Sequence, residues 1–169
     1  MKKPGMTAKK WLLAVHLLFS AILLGVSVAF LILSLTAAAA ESEEVLKACY
    51  SGMLILARTS IRASTIGTVV TGVLLSVWTH WGLFRYYWII AKELLTLLSI
   101  GLGIAGMYGW SLKAAGMMSA LGMQALHDPQ FAANRQWLMT GIALQLVSLA
   151  AMFLLSVFKP WGKRKIKGE

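Results

Sequence analysis

Three ionisable side chains stand inside long apolar runs: His16 in "LLAVHLLFS", and the neighbours Lys92 and Glu93 in "WIIAKELLTLL". A neutral imidazole in a bundle interior is the usual ligand for haem iron. Beside it, Lys92 or Arg85 could pair with haem propionates. His80, near the end of the second apolar run, offers another imidazole. It lies shallower than His16, so a two-histidine site would need an adjustment at the helix end. A second constellation, Met117, Met118, Met123 and His127, combines thioethers with an imidazole, a donor set that suits Cu(I). Met123 and His127 are four residues apart and would share a helix face. Against this, nine methionines in so apolar a chain make a cluster unsurprising.

Other chemistries find no residues to carry them. The single cysteine, Cys49, excludes an internal disulfide and any Cys-based zinc or iron–sulfur centre. "GLGIAG" (101–106) has the spacing of a dinucleotide fingerprint, but that motif needs a preceding strand and a turn. Inside an apolar helix, its glycines instead permit close helix packing. There is no nucleophile–base arrangement, no phosphate loop and no pair of carboxylates at membrane depth.

The elements that would position these groups follow from composition. With 169 residues, 59% of them hydrophobic and 13% charged, the chain is too apolar for a soluble domain. Apolar runs cover 11–35, 59–81, 88–110 and 137–158, each near the ~20 residues that cross a bilayer. The first run exceeds a signal-peptide core and lacks a cleavage pattern, so it is expected to remain as a helix.

The net charge of +10 sits mainly at the ends, in Lys2, Lys3, Lys9 and Lys10 and in Lys159, Lys163, Arg164, Lys165 and Lys167. Basic flanks stay in the cytoplasm, which places both termini inside and accounts for the charge without nucleic acid. The same clusters can touch anionic headgroups. The expected fold is all-α: a transmembrane four-helix bundle with both termini cytoplasmic, in a bacterial cytoplasmic (inner) membrane. Its second helix extends on the outer side over 42–58, and a long outer loop covers 111–136. A short amphipathic helix is expected within that loop, between Ala114 and His127. Arg58 and Arg62 are expected at the outer boundary, facing the acidic loop of Glu41, Glu43 and Glu44.

Helical periodicity then gathers the polar residues of each span. His16, Ser20, Ser27 and Ser34 fall within ~40° of one another. Arg58, Arg62, Thr65, Gly72, Ser76 and His80 fall within ~80°, as do Lys92, Thr96, Ser99, Gly103 and Gly106, with Glu93 at the edge. Gly141, Gln145, Ser148, Met152 and Ser156 form the fourth stripe. Small and hydroxylated residues are ordinary contact material between membrane helices, and that reading covers most of these positions. It covers His16, Lys92 and Glu93 less well, because ionisable groups at membrane depth cost several kcal/mol unless paired or hydrated. Measured from Trp11 and Trp88, all three lie ~6–8 Å inside the inner interface, so a shared polar pocket between spans one and three is expected. Lys92 and Glu93 point ~100° apart and are poor partners for each other.

The early histidine of "LLAVHLLFSAILLG", the "TVVTGVLL" segment and the lysine of "WIIAK" resemble a family of bacterial membrane proteins related to the membrane domain of copper-resistance protein D. The resemblance covers roughly 11–106. It implies a four-helix core with metal or redox association, and it carries His16 and Lys92 as site positions. Three functions remain open: a haem- or metal-associated redox module (haem b or copper), outer-side copper handling through the Met/His cluster, and a non-catalytic partner subunit or small transporter. A homo-oligomer or a membrane partner protein is compatible with each.

Overall fold

A computed structural model describes residues 5–79 and 82–163. Four helices, each long and apolar enough to cross a membrane, make up nearly all of it: α1 (Met6–Ala38), α2 (Glu43–Trp78), α3 (Tyr87–His127) and α4 (Pro129–Phe158). Among the described residues there is no strand, only an isolated bridge between Tyr86 and Lys163 that ties the α2–α3 turn to the tail. Successive helices are antiparallel, so the two chain ends lie at one end of the bundle. α1 packs on α2 and α4, and α3 packs on the same two, which leaves α1 and α3 facing across the diagonal.

The helix starts are encoded locally. Ser42 caps α2 by accepting from the Val45 amide at 3.4 Å, and Glu43 and Glu44 occupy the first turn, where the helix dipole favours acids. Asp128 caps α4 through the Gln130 amide at 2.7 Å, with Pro129 at the first helical position. α2 therefore begins where the sequence indicates. Its 36 residues make ~54 Å of helix, well beyond the ~30 Å of hydrocarbon.

Two features depart from the sequence reading. α3 does not stop near residue 110 but continues helically to Leu121 and then through a 3-10 turn, Gly122–His127. Ser111, Ala114 and Met118 recur at helical spacing and are buried, so the short helix expected from Ala114 forms but runs on from the third span without an intervening loop. Gly122, at φ 54°, ends it in a conformation that favours glycine. In addition, α2 and α3 each contain a π-helical turn, Ala57–Ile61 and Leu102–Tyr108, and the two turns pack on each other. A π turn shifts the phase of the helix. Arg58 and Arg62 accordingly lie exposed, while Thr65, expected on the same stripe, is buried.

The apolar core lies mainly in the half away from the chain ends. Leu46, Met53, Met107, Met118 and Phe131 are fully buried there, and Tyr50 meets Phe131 edge-to-face at 5.6 Å. Trp110 lies against Gly106 of its own helix and Gly141 of α4, where side chains would collide with the indole. Leu18, Ile32, Ile66, Leu94, Leu97, Val147 and Leu154 are among the large apolar residues exposed around the bundle, which is the surface a bilayer covers.

Candidate functional site

The half nearer the chain ends is built differently. His16 on α1 is half-buried, and its Nδ1 lies 2.9 Å from Thr71 Oγ1 on α2. The single hydroxyl hydrogen of Thr71 is directed to the Gly67 carbonyl at 2.6 Å. With that hydrogen on the carbonyl, the oxygen faces the ring as an acceptor and Nδ1–H donates to it. In that neutral tautomer the lone pair is on Nε2, to which no described residue bonds. Glycines make this approach possible. A Cβ at Gly72 would stand 3.2 Å from the imidazole Cε1, and Gly67 is covered by the Phe19 ring.

Lys92 is held from the other side. Its ammonium donates to Ser156 Oγ at 2.8 Å and lies 5.9 Å from the centroid of the Trp88 ring. The Ser156 hydroxyl passes its own hydrogen to the Met152 carbonyl at 2.7 Å. Thr96, one turn along, contacts Met152 Sδ at 3.4 Å. Lys92 is also close enough to act electrostatically on His16. One polar level thus receives a side chain from every helix: His16, Thr71, Lys92 and Ser156. His16 and Lys92 do not bond to each other directly; α2 and α4 stand between spans one and three and supply their hydrogen-bond partners, Thr71 and Ser156.

Glu93 does not join Lys92 in an ion pair; the salt bridge among the described residues is Lys47–Glu43, at 2.5 Å. Instead Glu93 Oε1 is buried with no hydrogen-bond partner, and so are Thr68 Oγ1, Ser99 Oγ, both amide atoms of Gln145 and, in the other half of the bundle, Ser111 Oγ. The pairs Lys92–Ser156 and Thr96–Met152 fix the register of α3 against α4. In that register Ser99 lies ~10 Å and Gln145 ~16 Å further into the bundle than the Lys92–Ser156 pair. Unmet hydrogen-bonding groups therefore continue from the His16–Lys92 level toward the middle of the bundle. Each costs ~1–3 kcal/mol if left dry.

His80 lies outside the described residues, so its relation to His16 does not enter this geometry. Among the described residues no group of three His, Cys, Asp or Glu side chains is placed to hold a metal ion. What His16 offers is one imidazole nitrogen, which fits attachment of a haem or metal through a single protein ligand and not a closed protein cage. In the Met/His cluster, Met118 is sealed in the core, Met117 and Met123 pack against it, and His127 is exposed. Met123 and His127 sit on the 3-10 turn, where four residues span ~480° and leave them ~120° apart. The thioethers thus act as core filling, and the shared face expected from α-helical spacing does not form.

Sequence inspection named Ser156 and Gln145 as part of a stripe but missed Thr68 and Thr71, which look like ordinary β-branched filler. A cleft of about 400 Å³ opens between α1, α2 and α4 near the other end, lined by Ser34, Tyr50, Arg135, Gln136 and Thr140.

Comparison of the chain with protein-family models, with curated proteins and with solved structures returns no match. The fold and the site therefore define the class directly: a small multi-pass membrane protein, a four-helix bundle without a soluble domain.

Proposed function

We propose that this protein is a small proton-conducting transporter of a bacterial cytoplasmic membrane, with its basic termini in the cytoplasm. Its working part is the polar column that starts at His16, Lys92 and Glu93 and rises past Thr68 and Ser99 to Gln145. The observation that carries this reading is the run of buried, unpartnered polar atoms leading inward from an ionisable cluster. Such atoms call for water, and intramembrane His, Glu and Lys joined by hydroxyls and water are the components of proton relays. The reading is tested with protein reconstituted into liposomes containing a pH-sensitive dye. An imposed pH gradient should collapse faster than in empty liposomes, and His16→Ala and Glu93→Gln should each slow the collapse tenfold or more. Flux no greater than in empty liposomes would exclude transport of protons and leave a partner subunit as the reading.

A second reading is favoured by the free Nε2 of His16 and by the sequence resemblance: attachment of haem or copper at that nitrogen. Purified protein would then show a visible haem band or bound copper that His16→Ala removes. A colourless, metal-free preparation from cells supplied with both would exclude it.

A further inference from the structure

We propose that Arg58, Arg62 and Tyr108 form a binding site for the phosphate of an anionic lipid, in the leaflet opposite the chain termini. Both guanidinium carbons lie 5.9 Å from the centroid of the same Tyr108 ring. One aromatic side chain from α3 thus gathers two cations from α2 and limits their separation. The arginines are exposed, and their sequence neighbours Ile55 and Ile66, with Ile104 near Tyr108, are large apolar residues exposed by about 60% each. Two fixed charges therefore stand on a surface otherwise suited to acyl chains.

No protein anion among the described residues answers them. Among the described residues neither arginine pairs with a carboxylate, and Glu43, an acid near that end, is held by Lys47. The Tyr108 hydroxyl also makes no hydrogen bond among the described residues and is available as a donor. Depth matches the headgroup layer. Trp78 ends α2 on the side of the chain termini and marks the inner interface there; Arg58 and Arg62 stand twenty and sixteen residues from it, or ~30 and ~24 Å along α2. With ~30 Å of hydrocarbon, Arg58 reaches headgroup level and Arg62 lies one turn below, within range of its own flexible side chain. A guanidinium left in acyl chains is costly, whereas a phosphodiester accepts from it bidentately. The site also coincides with the paired π-helical turns, irregularities that gather at functional positions.

The test uses the full-length protein in nanodiscs of phosphatidylcholine, with phosphatidylglycerol added stepwise, and native mass spectrometry to count retained lipids. Phosphatidylglycerol should bind and raise thermal stability, and Arg58→Gln with Arg62→Gln should weaken binding about a hundredfold, roughly tenfold per charge-assisted contact. A helical circular-dichroism spectrum of the double variant in pure phosphatidylcholine secures its fold. If that spectrum is lost, Tyr108→Leu serves as the second variant, and it should weaken binding by about tenfold. Phosphatidylglycerol binding unchanged in the folded variant would overturn the proposal. So would equal stabilisation by inorganic phosphate at the same concentration, which would indicate a soluble anion.

Discussion

The two halves of the bundle share the same helices but differ in the balance of apolar and polar material they bury. Away from the chain ends, Leu46, Tyr50, Met53, Met118 and Phe131 close a mainly apolar core, with the Ser111 hydroxyl and the Asn134 amide as its polar members. Toward the chain ends, the interior holds His16, Thr71, Lys92 and Ser156, with further polar atoms unpartnered beyond them. The difference teaches where each kind of work is done. An apolar core assembled partly outside the bilayer gains from water exclusion. Within lipid, apolar side chains gain little by facing one another, so packing and polar contacts decide what turns inward. The mainly apolar half holds the bundle together, and the polar half is free to carry chemistry.

The largest effect that would sharpen this contrast is expected at Phe131, which fills the mainly apolar half against Tyr50. Phe131→Ala should lower unfolding stability by ~3–5 kcal/mol, measured by chemical denaturation in detergent. A loss below ~1 kcal/mol would show that this half is not the anchor. Next comes Gly141→Ala, which drives a methyl group into the Trp110 indole. It should cost ~1–3 kcal/mol and alter Trp110 fluorescence. Unchanged emission would mean that the ring has room to move.

The smallest stability effect is expected at the polar half, and it runs opposite to its functional consequence. Lys92→Met removes a partly buried cation whose desolvation offsets its hydrogen bond, leaving Ser156 still bonded to the Met152 carbonyl. Stability should change by less than ~1 kcal/mol while proton flux in liposomes falls to the empty-vesicle rate. A large stability loss with flux intact would reverse the assignment of the two halves.

Much of this was legible in the residues. The apolar runs and the Ser42 and Asp128 caps set out four helices, because helix formation and capping depend on neighbours in sequence. The stripes through Ser27, Ser99 and Gln145 pointed inward correctly, since helical periodicity is local. The limits are equally specific. Nothing nearby in sequence marks Thr71 as the partner of His16, fifty-five residues away, or Ser156 as the partner of Lys92. The π-helical turn over Ala57–Ile61 turned Arg58 and Arg62 away from their expected face and toward Tyr108. The packing of α3 on α2 joined the short helix expected from Ala114 to the third span without a break through 111–113. By itself the sequence determined that the chain makes four membrane helices and which stripe of each is polar, because both follow from local spacing and transfer energies. The tertiary structure alone decided which polar residues meet, because helix phase and register depend on contacts between segments far apart in the chain.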